Sequence, residues 1–392
     1  MGLFTKSKSV IGIDIGADSV KMVQLAEDHK KPTLVTYGMA EDSIDIVRDT
    51  SEESTAKLVY IIKQIVEQSR MSSPSLVAAL PTFSVFSSIL SLPAMPKKDL
   101  AQAVRWEAKK FVPMPLEEMI LDWKELKSIN QLQAERSSSE QTQEQSGESG
   151  EEEQEKKVTP NPQEPVDLTQ GTGNQGPAKP DHLRVLITAA PKSLVSRYVD
   201  VVKSAGLQLA NLETEAFAIA RSLTGAQRGT VMIVDIGSIT TDIIVIEDGI
   251  PIMNRSIDVG GKTLTQAIAQ SLHIDPSRAE QFKRDIGVNQ AAGSAIPRVM
   301  KQTLQPILQE ISYSHNLYQS QTNQPVDKIV LTGGSALLPS MDSFLAEVTN
   351  INTYLGDPWM HIGYPEDLKP VLDEIGSRLP VAIGLALKPM MP

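Results

Sequence analysis

The chain has no cysteine, few aromatic residues and no long run of apolar residues. Aromatic side chains make up only 4% of its 392 residues. The lack of cysteine excludes disulfides and thiolate metal sites and favours a reducing compartment. No segment approaches the roughly 18 apolar residues of a membrane-spanning helix. The first residues show neither a signal peptide nor a myristoylation signal, because Lys6 stands where Ser or Thr is required. We therefore expect a cytoplasmic protein that meets a membrane only through partners.

Basic residues are also in deficit, since the formal net charge is −11. This balance argues against a nucleic-acid binder, which would carry a basic stripe. Much of the excess lies in residues 129–181, which hold 11 acidic and 4 basic residues and no aromatic one. Ser, Gln, Glu, Gly and Pro dominate this stretch, so it cannot bury enough apolar surface to offset the entropy of ordering. We predict a disordered insertion; an interaction tail within a loop is the alternative.

A short motif occurs twice in the remaining sequence. Asp14-Ile15-Gly16 returns as Asp235-Ile236-Gly237, with apolar residues before it and hydroxyl residues after it. The apolar runs on both sides predict a buried strand, a glycine turn and a returning strand in each copy. Two such hairpins in one chain indicate a duplicated domain that holds one polyanionic ligand from both sides.

The rest of the sequence alternates between helical and strand patterns. We predict helices over 56–67, 96–111, 194–205, 267–271, 278–284 and 296–319. The predicted strands cover 76–81 and 85–92, which we expect to pair, then 183–189 and 328–332. The last strand is followed by Gly333-Gly334 and a predicted helix. This alternation indicates an α/β protein with two similar halves.

The repeated turns suit a nucleotide. Gly16 and Gly237 let backbone N–H groups approach phosphate oxygens, and hydroxyls can add donors. The hydroxyl candidates are Ser19, Thr240 and Thr241. Two carboxylates beside a polyphosphate require a cation, so we predict that Asp14 and Asp235 hold Mg²⁺ directly or through its waters. A bound nucleoside would lie at Gly333, Gly334 and Ser335, where a strand meets a helix N-terminus. The alternative is that Asp-X-Gly only turns a hairpin.

This order of motifs resembles the superfamily of actin, sugar kinases and heat-shock chaperone ATPases. Within it, the chain resembles the PilM family, the actin-like cytoplasmic proteins of type IV pilus assembly, related in fold to FtsA. Residues 12–21, 104–118, 259–265 and 380–387 carry the resemblance. It implies an α/β, actin-like (ribonuclease H-like), duplicated two-domain ATPase fold with an inserted small α+β subdomain. Domain I would cover 1–228 and 341–392, domain II 229–340, and the subdomain about 77–128 and 182–190.

The resemblance also implies roles for individual residues. Glu280 and Lys283 would contact ribose and adenine, although a solvated helix face explains them equally well. Lys21 would belong to the nucleotide site. Glu213 or Glu215, preferably Glu215, would position the attacking water. Because no Arg or Lys of the matched motifs is an obvious partner for the γ-phosphate, we expect slow hydrolysis at most.

The implied function is an ATP- and Mg²⁺-binding scaffold of the type IV pilus inner-membrane platform. A PilN-like membrane partner would place its N-terminal cytoplasmic peptide in a groove beside the small subdomain, near Trp106, Phe111 and Trp123. These aromatics can also form a core, which we expect for Phe111. Other platform proteins and self-association are further expected contacts. A type II secretion platform, a small-molecule kinase and an FtsA-like filament-forming protein remain alternatives, although Pro389 and Pro392 disfavour a C-terminal anchor helix.

Overall fold

The structure is a computed structural model that describes residues 8–42, 46–126, 182–225, 227–289 and 295–391. The predicted insertion at 129–181 lies outside the described residues. The chain divides into two units. The first consists of Met1–Ser88, Val112–Asp122 and Thr188–Pro392, and the second of Ile89–Phe111 and Trp123–Ile187.

The described elements alternate between strands and helices along the chain. Up to residue 126 they are β1 (Ser9–Ile15), β2 (Val20–Asp28), β3 (Lys31–Ala40), α1 (Glu52–Gln68), β4 (Ser75–Leu80), β5 (Phe86–Pro93), α2 (Lys97–Ala108) and β6 (Met119–Leu126). From residue 182 they are β7 (His182–Pro191), α3 (Lys192–Ser204), β8 (Gln208–Thr214), α4 (Glu215–Leu223), β9 (Thr230–Ile236), β10 (Thr241–Glu247) and β11 (Ile250–Ile257). The remaining ones are α5 (Gly261–Leu272), α6 (Pro276–Ile286), α7 (Ala295–Thr303), α8 (Gln305–Thr322), β12 (Lys328–Thr332), α9 (Met341–Thr349), β13 (Thr353–Leu355), α10 (Lys369–Ile375) and α11 (Pro380–Leu387).

Two five-stranded sheets of the first unit repeat one topology. Their strand orders are β3-β2-β1-β4-β8 and β11-β10-β9-β12-β13. In each sheet a three-strand antiparallel meander is followed by two strands that run parallel to its first strand. We call these sheets, with their helices, the first lobe and the second lobe. The predicted duplication is confirmed, and β13 extends the second sheet beyond residue 340, where we predicted a domain boundary.

Helices α4 and α11 join the two lobes. One apolar cluster contains Val10 and Val77 of the first sheet, Ile233 of the second, and side chains from both helices. Every residue of α11 is buried. A Cβ on Gly12 would stand 1.9 Å from the Ala382 carbonyl oxygen, and one on Gly384 would stand 1.9 Å from that of Ala218. Glycine is therefore required where α11 meets β1 and where it meets α4. The complete burial of α11 explains the apolar motif at 380–387.

A three-stranded sheet has the order β5-β7-β6. The predicted pairing of 76–81 with 85–92 is therefore wrong, because β4 lies between β1 and β8 while β5 pairs with β7. The turn at Thr82–Ser84 separates the two strands. All but the first residue of β4 is buried, which is typical of a central parallel strand and not of a hairpin arm.

Two helical predictions need adjustment. The strand β12 is followed by one 3₁₀ turn, Gly334–Leu337, and α9 begins only at Met341. Helix α2 ends at Ala108, so Phe111 lies beyond it. In the described part of the chain, no helix is both long enough and apolar enough to span a bilayer.

Candidate functional site

The two repeated turns close in the same way and face one cleft. The N–H of Gly16 donates to the Ser19 carbonyl at 3.0 Å, and that of Gly237 donates to Thr240 at 2.9 Å. Each glycine N–H is thus used within its turn. No hydrogen bond among the described residues engages the N–H groups at 17–19 or 238–240, which makes those groups the better phosphate donors. Both turns line one cleft, the first through Gly16 and Ala17 and the second through Ile239 and Thr240.

The cross-strand partners of the two aspartates differ in charge. In the first hairpin Asp14 lies opposite Lys21, and the Nζ–Oδ2 distance is 2.9 Å. In the second, Asp235 lies opposite Asp242, which also lines the cleft. Sequence reasoning missed Asp242. The signal was present, since Lys21 and Asp242 each stand seven residues after the motif aspartate.

Four acidic groups influence one another at this cleft, of which Asp242 and Glu215 line it while Asp14 and Asp235 lie outside its lining. Loss of water, and then the charge of Asp242, raise the pKa of Asp235 to about 7, against the opposing effect of Lys21. Burial likewise raises the pKa of Asp242 to about 6, with Asp14 adding to the shift. Burial and the charges of Asp14 and Asp242 raise the pKa of Glu215 well above its usual range. For Lys21 burial acts downward, but Asp14 outweighs it, and the pKa is raised.

This charge pattern fits a hydrated divalent cation. The donors are carboxylates and hydroxyls, the oxygen ligands that Mg²⁺ prefers. Within the described residues no three acidic or histidine side chains lie close enough together to form a metal cage. One or two carboxylates could instead hold the ion through its waters, with phosphate completing the shell. Asp14 and Asp235 remain predictions for this role, and Asp242 is an additional candidate.

The residues predicted for the nucleoside end come together around Gly261. The Lys283 ammonium, which is buried, donates to the Gly261 carbonyl at 3.0 Å and to Glu280 at 2.6 Å. Burial lowers its pKa. Burial pushes the pKa of Glu280 upward, but hydrogen bonds from Lys283 and Thr265 prevail and lower it to about 2. A Cβ on Gly261 would lie 2.8 Å from the Ser335 hydroxyl.

The backbone at Gly333 lies against the second turn. Its φ is +89°, and a Cβ there would stand 2.4 Å from an Asp235 carboxylate oxygen. Gly334, in contrast, is open, with only Arg378 within 4.0 Å of such an atom. Position 333 therefore requires glycine because the backbone approaches Asp235 closely there. Gly334 has no comparably close neighbour.

The two glutamates considered for water positioning lie in different surroundings. The carboxylate of Glu215 lines the cleft and accepts from the N–H of Thr82 at 2.8 Å. Glu213 instead binds both Arg221, at 2.6 Å, and Lys388, at 2.8 Å. With both oxygens paired to cations, Glu213 ties α4 to the residue that follows α11. Only Glu215 is placed to act in the cleft.

The three residues predicted to offer hydroxyl groups to phosphate also lie in different surroundings. Thr240 lines the cleft. Thr241 is fully buried, and its hydroxyl donates to the Val259 carbonyl at 2.6 Å. Ser19 lies in the first turn and is partly exposed. Thr240 is the last residue of the turn, whereas Thr241 begins β10 and pairs with Ile236, so Thr241 is fixed within the sheet.

Aromatic side chains of the second unit are exposed. Trp106 is 67% exposed and Phe111 is 50% exposed, so the expectation that Phe111 is a core residue is wrong. Trp123 is only partly exposed. Lys109 lies over the Trp106 ring at 5.7 Å. Trp and Tyr are enriched at protein interfaces, so Trp106 is a candidate contact residue.

Comparison with known proteins identifies the family. The sequence profile described as "Type IV pilus assembly protein PilM" matches residues 12–141 and 137–390. The chain belongs to the PilM family. It is thus an actin-like protein of type IV pilus assembly. The cell division protein FtsA of Borreliella burgdorferi is 29% identical over 181 residues, which span 40% of this chain and only 42% of that protein.

Solved structures confirm the actin-like fold. The PilM-PilN type IV pilus biogenesis complex has a TM-score of 0.72 and 24% identity, covering 98% of this chain and 99% of that chain. EutJ of Carboxydothermus hydrogenoformans has a TM-score of 0.52 and 15% identity, covering 96% and 90%. MreB5 of Spiroplasma citri, bound to ADP, has a TM-score of 0.50 and 14% identity, covering 96% and 94%.

Proposed function

We propose that this PilM-family protein is a nucleotide-binding scaffold of the type IV pilus inner-membrane platform. The observation that carries the proposal is the pair of equivalent turns, which line one cleft through Gly16 and Thr240, together with Glu215 and Asp242. Two rows of N–H groups can approach a polyphosphate from opposite sides there. That MreB5 was solved with ADP supports the choice of an adenine nucleotide.

The cleft favours a cation together with the nucleotide. Asp14 and Asp235 would hold Mg²⁺ through water, and Asp242 lies beside them. The ion, when bound, would neutralise phosphate charge. Lys21 would fix the position of the Asp14 carboxylate through their 2.9 Å ion pair. Glu280 and Lys283 would border the nucleoside end.

Turnover would be slow. Glu215 is held by Thr82 at the N-terminus of α4, where it could orient a water molecule. Its raised pKa, however, favours the protonated form, which accepts a proton from water poorly. Nucleotide binding would then favour one relative position of the two lobes. It would not drive a cycle of ATP hydrolysis.

A titration of Mg-ATP into the purified protein tests this assignment. We expect saturable binding by the wild type that is lost in Asp235→Asn, and no change in the control Asp367→Asn, whose side chain is exposed. Unchanged affinity in Asp235→Asn would show that the site is wrongly assigned. Screening for ATP consumption with sugars and glycerol separates the scaffold from the kinase alternative, since strong stimulation would favour the kinase.

We further propose that the partner is a PilN-like membrane protein that supplies an N-terminal cytoplasmic peptide. The PilM-PilN complex among the similar structures supports this choice. In the described residues, β5 and β6 are the edge strands of the three-stranded sheet, so an extended peptide could add to either. This partner would keep the protein at the inner membrane, where other platform proteins and further copies of the chain could join it.

Trp106 offers a test of the peptide site. Large exposed aromatics are frequent binding hot spots, and truncating one typically costs about 2 kcal/mol, or about thirtyfold in affinity. We expect Trp106→Ala to weaken binding of a labelled partner peptide by that factor without lowering the unfolding midpoint. Tyr60→Ala, with a similar exposure of 62%, should leave peptide binding unchanged. Repeating the measurement with Mg-ATP asks whether the nucleotide modulates it.

A further inference from the structure

The two turns are linked directly to each other. Asp18, in the first turn, accepts a hydrogen bond from the Ser238 hydroxyl of the second turn at 2.6 Å. Its other carboxylate oxygen forms an ion pair with Lys262, at the start of α5. Both partners of Asp18 therefore belong to the second lobe. Lys262 is fixed to the same turn through its backbone, since its N–H donates to the Ser238 carbonyl at 2.8 Å.

The duplication shows that Asp18 is not needed to form its turn. The second turn has Ile239 at the equivalent place, yet it closes through the same glycine hydrogen bond at nearly the same length, 2.9 Å against 3.0 Å. A carboxylate at this position thus serves the contact with the second lobe. It is also an anion placed between two phosphate-binding turns.

We propose that Lys262 is a phosphate-binding residue and that Asp18 competes with the nucleotide phosphates for it. The proposal rests on the nucleotide site proposed above. The side chains of Lys262 and Asp18 are 51% and 28% exposed, so water screens the pair and it is weak. A phosphate dianion offers more charge and more acceptor oxygens than one carboxylate. The Lys262 ammonium would leave the Asp18 carboxylate and bind phosphate. The direct contact between the two turns would then be lost.

This exchange supplies a cation that sequence reasoning did not find. Lys262 lies within the matched segment 259–265, but nothing in that pattern shows that its ammonium reaches the first turn. Binding of the nucleotide would replace a direct contact between the lobes by one through phosphate. The contact made by Asp18 would thereby determine the nucleotide concentration at which the relative position of the two lobes changes.

Nucleotide titrations of single and double variants test the proposal. Asp18→Asn should bind Mg-ATP about fivefold more tightly, because it frees Lys262 and removes a repelling charge. Lys262→Ala should bind about tenfold more weakly, and Lys262→Arg should restore most of the affinity. In the Lys262→Ala background the gain from Asp18→Asn should fall below about twofold. Asp373→Asn and Lys369→Ala break an exposed ion pair on α10 and should change nothing.

Adenosine separates a phosphate contact from a structural role. Competition by adenosine should be unaffected in Lys262→Ala, since adenosine has no phosphate. An equal loss for adenosine and Mg-ATP would overturn the proposal, as would unchanged Mg-ATP affinity in Lys262→Ala. Wild-type protein that fails to bind Mg-ATP at all would overturn the proposed function and this inference together. Binding by the wild type with no response of either variant would overturn this inference alone.

Discussion

Replacing Asp235 by Asn should make the protein more stable at pH 8 while it abolishes nucleotide binding. The carboxylate is withdrawn from water and faces Asp242 across the hairpin, and its pKa is raised from 3.8 to about 7. The ionised form is therefore destabilised in the folded state. An amide of the same shape removes that charge and keeps the side-chain volume.

The magnitude follows from the shift in pKa. About three pH units at roughly 1.4 kcal/mol each give a ceiling of about 4 kcal/mol. The side chain keeps some contact with solvent, so we expect about 2 kcal/mol after screening. The folded state binds the proton more tightly than the unfolded chain does. The stability from this group is therefore present below pH 4 and is lost as the pH rises from about 4 to 7.

Urea unfolding followed by circular dichroism between pH 5 and 8, without divalent cations, measures this effect. The wild type should lose stability over that range, and Asp235→Asn should lose less and exceed it at pH 8. Asp367→Asn, at an exposed site, should follow the wild type. Mg-ATP should stabilise the wild type and not the Asp235 variant. A variant that is less stable than the wild type at pH 8, or that keeps the full pH slope, would refute the reasoning.

Three further predictions concern Gly384, Glu213 and Glu215. Gly384→Val should cost about 3 kcal/mol or prevent folding, because a side chain there would overlap α4, whereas Gly363→Ala, at an exposed site, should shift the unfolding midpoint little. Glu213→Gln should lower stability by about 3 kcal/mol without changing Mg-ATP affinity, since it leaves Arg221 and Lys388 without a counter-charge. Glu215→Gln should instead abolish any residual ATP hydrolysis without lowering stability, since burial raises the pKa of this carboxyl and an amide removes its charge. Thermal unfolding and phosphate release measure the pair, and the reverse pattern would contradict the roles assigned.

The duplicated fold could be predicted from the sequence because its signal is local and occurs twice. Each Asp-X-Gly motif stands between apolar runs, and each run forms a strand at the equivalent position of its sheet. Asp242 could have been found by aligning the two copies, since it occupies the place of Lys21.

Contacts between distant segments could not be predicted in this way. The link from Asp18 to Lys262 joins residues 244 positions apart and depends on how the second lobe faces the first. The same holds for Glu213, whose partner Lys388 follows α11. The exposure of Phe111 depends on helix α2 ending at Ala108, and no capping signal in the sequence fixes that boundary. Neither the spacing nor the type of these residues determines such contacts.

Helix α11 has a consequence for the order in which the protein can be made. It packs against β1, so β1 can make this contact only when residues 380–387 have been synthesised. Until then the surface around Gly12, on which α11 packs, stays uncovered together with the apolar side of the first sheet. Uncovered apolar surface of this kind promotes aggregation. Contacts of such long sequence separation are also slow to form. The first lobe is therefore the last to be completed, and the second lobe, whose strands are close in sequence, can fold before it.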